Sequence, residues 1–160
     1  MKVIPPITIT PAMLTSSSIA EPSAGETSWT ASASYTVGQV FIRTTVHRRF
    51  LCKQTHTGRT ALPEADPDYW TDDGPTNKYA MFDLLRNTAT ISTGTPIVVV
   101  LAPGQRIDSL GIVGLQASSV TVSMDIGATN YFNATISTIE RATTSWTSYF
   151  FGAFKYLKSF

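Results

Sequence analysis

Val120-Thr121-Val122-Ser123-Met124-Asp125-Ile126 alternates apolar and polar residues without a break. A period of two places every second side chain on the same face of an extended chain, so this run reads as a half-buried β-strand. Gly127-Ala128-Thr129-Asn130 supplies turn residues, and Tyr131-Phe132-Asn133-Ala134-Thr135-Ile136-Ser137 reads as the next strand. Towards the N-terminus, Ile97-Val98-Val99-Val100-Leu101 is a continuous, mostly β-branched run, expected as a fully buried strand. Pro103-Gly104-Gln105 follows as a turn, and Leu110, Ile112 and Gly114 lie on one face of a further strand. Ser148 to Lys155 is another candidate strand, and Tyr79 to Arg86 a helical turn or two. Strands at about ten-residue spacing with turn signals between them predict an antiparallel β-sandwich over residues 75–160.

Residues 28–74 read as a compact unit of their own. Trp29, Tyr35, Val37, Val40, Ile42, Phe50, Leu51, Tyr69 and Trp70 are its apolar members. Val40 to Val46 and Arg49 to Lys53 form a hairpin closed by Val46-His47-Arg48, and residues 57–68, with Gly58, Pro63 and Pro67, form a loop. Three short strands are marginal alone, so the unit is expected to lean on something else. Residues 1–27 read as an extended arm. Val3, Ile4, Ile7 and Ile9 are apolar, while Pro5, Pro6, Pro11 and Pro22 remove backbone donors and oppose ladder formation. The arm either packs on its own domain or lies on a neighbouring subunit.

Composition excludes several classes. The chain has 160 residues, 42% of them hydrophobic, enough for one ordinary domain or two small ones. Only 14% are charged and the net charge is +1, so no broad basic face is available for nucleic-acid phosphates. A surface this poor in charge suits coverage by neighbours. The longest apolar run, Ile97 to Ala102, is far short of the ~20 residues that span a bilayer, and no membrane insertion is expected. Pro5 and Pro6 interrupt any secretory-signal core. The single Cys52 rules out an internal disulfide framework.

No catalytic set assembles. Cys52 and His56 are four residues apart, but in a hairpin-to-loop setting that spacing has no geometric meaning, and Cys52 reads as a small buried hydrophobe. Asp66, Asp68, Asp72 and Asp73, with Glu64 nearby, lack the glycine and closing glutamate of a calcium loop and read as a solvated turn. Asn133-Ala134-Thr135 is a glycosylation sequon inside a strand pattern. No enzyme activity, metal or cofactor is expected. The aromatic residues of the 28–74 unit remain, either as the core a small domain requires or as faces for sugar stacking.

Trp29, then Tyr35-Thr36-Val37-Gly38-Gln39-Val40, then Phe50-Leu51-Cys52-Lys53, then Pro63 and Trp70, resemble the small chitin-binding carbohydrate module of bacterial chitinases. The resemblance implies that Trp29, Tyr35, Gly38, Val40, Phe50, Cys52 and Trp70 form the module framework. In that family exposed tryptophans after the aromatic step stack on sugar. Here those positions hold Gln54 and Thr55, which leaves Tyr69 as the candidate carbohydrate-binding residue and suggests a module reused for docking.

The wider order is similar to virion proteins of tailed bacteriophages encoded among tail genes. It runs from the Pro-rich Val3-Ile4-Pro5-Pro6-Ile7-Thr8-Ile9-Thr10, through this module and Gly74-Pro75-Thr76-Asn77-Lys78-Tyr79-Ala80-Met81-Phe82-Asp83, to a β-rich domain. Pro96 to Gly104 with Ile107-Asp108-Ser109-Leu110 resembles a galactose-binding-like jelly roll. Together these imply an all-β chain: an assembly arm over residues 1–27, a chitin-binding-like module over 28–74 and a jelly-roll-like sandwich over 75–160. The implied function is a structural component of a phage tail, near the tail tip or baseplate. It would be made in the bacterial host cytoplasm and contact other tail proteins and copies of itself. The alternative is a carbohydrate-binding adhesion module that meets a host surface glycan.

Overall fold

The computed structural model describes residues 6–85 and 87–138. Among them the chain is all-β, with several small antiparallel sheets and only single turns of 3-10 helix at Pro11–Met13, Pro63–Ala65 and Ala80–Phe82. The strands are β1 (Leu14–Ser17), β2 (Ser34–Tyr35), β3 (Val40–Arg43), β4 (Arg48–Cys52), β5 (His56–Thr57), β6 (Trp70–Pro75), β7 (Val99–Leu101), β8 (Ser119–Ile126) and β9 (Thr129–Ser137). Compactness divides the chain into Met1–Leu110 and Gly111–Phe160.

The first unit is organised by the sheet β3-β4-β6. Phe41 pairs with Phe50 and Cys52 with Trp70, so alternation puts these four side chains on one face. Tyr35 of β2 packs edge-on against Phe41 at 4.6 Å and Trp70 at 5.1 Å. Its hydroxyl closes back on Thr30, donating to the carbonyl at 2.7 Å and accepting from the N–H at 2.6 Å. Tyr35, Phe50, Cys52 and Trp70 are buried, with Trp29, Ala33, Phe41 and Tyr69 packed against them. The β3–β4 connection turns at His47, whose φ of 55° is the left-handed conformation such a tight reversal needs.

The opposite face of this sheet carries Ile42, which is covered by the segment that follows β1. Ile19 is buried there and lines the same cleft as Ile42. Thr27 and Trp29 hydrogen-bond to both sides of the Ile42 peptide at 2.8 and 2.9 Å. Two glutamates fasten the segment. Glu21 accepts the Thr76 hydroxyl at 2.7 Å and lies 2.8 Å from His47 Nδ1. Glu26 accepts the Ser23 N–H and hydroxyl at 2.8 and 2.9 Å and the Asn77 N–H at 2.7 Å. Thr76, with 0% of its surface exposed, has no route to water, so its hydroxyl depends on Glu21.

The arm differs from expectation. Leu14–Ser17 forms a ladder with Val99–Leu101. The prolines do not prevent it, because the run from Met13 to Ala20 contains none and keeps every donor. Residues 14–29 therefore fold onto their own chain. Ile7 and Ile9 are half-buried, while Val3 and Ile4 lie outside the described residues. Ile97–Leu101 is not a fully buried strand. Val98 and Val100 are 57% and 48% exposed, because β7 belongs to a two-stranded ribbon with one open face. The strand expected around Leu110, Ile112 and Gly114 does not form, and Ser148 to Lys155 lies outside the described residues. The segments read from sequence as the arm and as the start of the sandwich cluster with the hairpin sheet up to Leu110.

In the second unit the described strands are β8 and β9, paired from Ser119↔Ser137 to Ile126↔Thr129 with an irregularity after Met124. Val120↔Ile136, Val122↔Ala134 and Met124↔Phe132 place six apolar side chains on one face. Ser119↔Ser137, Thr121↔Thr135 and Ser123↔Asn133 make the other face polar, with the two threonine hydroxyls 2.8 Å apart.

Two substitutions test how the first unit is held. Trp70→Ala removes the largest side chain of a small core and should cost about 3–5 kcal/mol. Glu21→Ala strands the Thr76 hydroxyl and should cost about 1–3 kcal/mol. Both are read from urea unfolding of the whole chain; an unmoved midpoint for Glu21→Ala would remove the clasp from this account.

Candidate functional site

The one face for which the sequence suggests a ligand is built where β4, β5 and the loop before β6 meet. Gln54 and Thr55 stand where stacking aromatics would be required, and both are occupied internally. Gln54 Nε2 donates to the Asp68 carbonyl at 3.1 Å, and the Thr55 hydroxyl accepts the Val37 N–H at 3.2 Å. Tyr69 is half-buried, and the Arg59 guanidinium lies 3.7 Å from its ring centroid. Asp66, itself buried, holds Arg59 by two bonds of 2.9 and 2.8 Å. A sugar approaching that face of Tyr69 therefore meets a cation anchored to a carboxylate, not a bare aromatic surface.

Four of the framework residues, Tyr35, Phe50, Cys52 and Trp70, are brought together in the buried cluster, with Trp29 half-buried against it; Val40 is half-buried on the opposite face of the sheet, where it lines the cleft with Ile42. Arg43 lies 5.2 Å over the Trp29 ring. Gly38 adopts φ 87° while its N–H donates to the Cys52 carbonyl at 2.8 Å, a conformation that favours glycine.

The acidic residues act as counterions. Arg43 pairs with Glu64, Arg48 with Asp72, Arg49 with Asp73 and Arg59 with Asp66. Arg48 and Asp72 meet through three contacts of 2.7 to 3.1 Å. Among the described residues no group of three or more His, Cys, Asp or Glu side chains is arranged to hold a metal ion.

Cys52 and His56 both turn to one acceptor. The thiol donates to the Gln54 carbonyl at 3.1 Å and His56 Nδ1–H to the same carbonyl at 2.8 Å, while Sγ and Nδ1 stay 3.9 Å apart. A carbonyl only accepts, so Nδ1 carries its proton and does not take one from the thiol.

A cleft of about 570 Å³ lies between the 18–27 segment and the sheet, lined among others by Ile19, Glu26, Val40, Ile42 and Asn77. Its best-placed polar groups are saturated. Glu26 is clasped as described, and the Asn77 amide bonds both the N–H and carbonyl of Ile91 at 2.8 and 2.9 Å. Sequence reading did not find Glu21, Glu26 or Arg59. Ser23-Ala24-Gly25-Glu26 did carry a signal, the S-x-x-E spacing in which a glutamate reaches back to the serine N–H. Nothing in the sequence marks Arg59 as the cover of Tyr69. Comparison with known proteins finds no family model, no curated protein and no solved structure that matches the chain.

Burial pushes the Cys52 thiol above its ordinary value of 9.0, against a smaller opposing effect of the Gln54 backbone. Tyr79 is raised above 10.0, first by burial and then by the Glu21 charge. Both groups hold their protons more tightly folded than unfolded. Their contribution to stability is intact below the unfolded values and is lost as pH rises through the folded ones. Unfolding midpoints should thus fall above about pH 9. The Cys52 thiol should resist a thiol reagent at about pH 8 until the chain unfolds, whereas rapid labelling of the folded chain would contradict its burial.

Proposed function

We propose that the chain is a structural component of a bacteriophage tail, in the tail-tip or baseplate region, working through protein–protein contacts. One observation carries the reading: the β8–β9 ribbon has a wholly apolar face on which Met124 and Phe132 are 44% and 48% exposed. A two-stranded ribbon with one apolar face is marginal in water and gains stability when that face is covered. The β1–β7 ribbon, with Val98 and Val100 exposed, repeats the same feature. The fold that accompanies this reading is a jelly-roll-like sandwich that includes β8 and β9, in the same chain as a chitin-binding-like module used for docking. Its partners are other tail proteins and copies of itself, and its location is the virion.

Adhesion to a host glycan is less well supported, since Arg59 covers the Tyr69 ring and Gln54 and Thr55 offer no aromatic face. The test is mass spectrometry of tails separated from purified particles whose genome encodes this chain, beside calorimetric titration of the chain with chitin oligomers. The expected result is the chain in the tail fraction and no saturable heat of binding. Absence from the particles removes the virion reading. Saturable oligosaccharide binding that Tyr69→Ala abolishes transfers the function to adhesion.

A further inference from the structure

We propose that the apolar face of the β8–β9 ribbon packs on the same face of a second copy of this chain, the two ribbons lying antiparallel about the Val122/Ala134 rung. The inference rests on the protein-contact reading above and names the partner. Two observations lead to it, and a third sets its strength.

The first is charge. Val120, Val122, Met124, Phe132, Ala134 and Ile136 include no ionisable group, so two copies meet without burying a charge. The second is shape. The face is tapered: Met124 and Phe132 are bulky at one end, Val120 and Ile136 are smaller at the other, and Ala134 leaves a shallow centre. A two-fold axis through that centre sets the bulky rung of each copy over the smaller rung of the other, the self-complementarity an isologous contact requires. Facing sheets pack about 10 Å apart with interdigitated side chains, which a small central residue permits.

The third is area. Eight residues of β8 span about 27 Å and two strands about 10 Å, so the face offers roughly 300 Å². A stable interface takes about 800 Å² from each partner. The same unit also exposes Ile112, Val113 and Leu115, which adds apolar surface for a partner. The pairing is accordingly weak for each contact, with a dissociation constant above about 10 μM, and becomes effective where copies are held close together.

The experiment is sedimentation equilibrium of the full chain from about 5 to 500 μM, a range chosen to bracket that constant. Phe132→Glu changes an exposed residue of the apolar face; Asn133→Glu places the same charge on the polar face of the next residue. The expected result is concentration-dependent dimerisation, weakened at least tenfold by Phe132→Glu and changed less than twofold by Asn133→Glu. Ala134→Cys should then give a dimer cross-linked by a bis-maleimide of about 10 Å reach, a readout that does not depend on a destabilising charge. Dimerisation insensitive to Phe132→Glu overturns the proposal, as does a chain that stays monomeric throughout. A monomeric chain still found in tails would overturn this pairing alone. A measured dimer absent from particles would overturn the virion reading alone.

Discussion

Trp70 is the contact on which the first unit depends. Its ring stands edge-on to Tyr35 at 5.1 Å, to Phe41 at 6.4 Å and to His56 at 5.3 Å, which ties β6 to β2, β3 and β5. Its backbone N–H donates to the Asp66 carbonyl at 3.0 Å, which fixes the loop that also delivers Tyr69 and the Asp66 carboxylate that holds Arg59. The buried apolar residues among those described are Ile19, Tyr35, Ile42, Phe50, Cys52, Trp70 and Ala80, with Pro63 and Pro75. Full burial of a large apolar side chain is worth about 1.5–3 kcal/mol, so a list this short leaves little margin against chain entropy. The carboxylates of Glu21 and Glu26 supply part of the difference by satisfying donors where the 18–29 segment covers the sheet.

This economy bears on function. Several polar groups of the first unit are turned inward or matched. Four arginines sit on four carboxylates, Gln54 and Thr55 hold backbone groups, and Arg59 covers Tyr69. Among the described residues, exposed apolar side chains include Val98, just before β7, Val100 of β7, and Met124 and Phe132 of the β8–β9 ribbon. Apolar ribbon faces are non-directional contacts, suited to assembly and unsuited to selecting a small polar ligand.

Local periodicity made part of this legible. Val120–Ile126 and Tyr131–Ser137 alternate, and they pair as β8 and β9; the reversal around His47 joins β3 to β4. Tyr35, Phe50, Cys52 and Trp70 share one cluster because strand alternation and pairing bring them to one face. What escaped is long-range. The pairing of Leu14–Ser17 with Val99–Leu101 joins segments more than eighty residues apart, and no local pattern encodes it. The β-branched run at Ile97–Leu101 signals a strand but not the number of its neighbours, and with only β1 beside it one face stays open. The Arg59 cover of Tyr69 follows from the path of the 57–68 loop, which composition does not determine.

Native-state hydrogen exchange of the whole chain tests the central claim most directly, that the 18–29 segment and the 76–79 turn are part of one cooperative unit with the aromatic sheet. The amides to follow are those of Trp29, Ile42 and Thr76, each hydrogen-bonded across a boundary between these segments, and that of Cys52, bonded within the sheet to the Gln39 carbonyl. If the account holds, all four exchange through a single opening with closely similar free energies, and Glu21→Ala lowers them together. Fast, independent exchange at Trp29 and Thr76 beside slow exchange at Cys52 would contradict it, leaving the sheet to stand alone and the clasp as decoration.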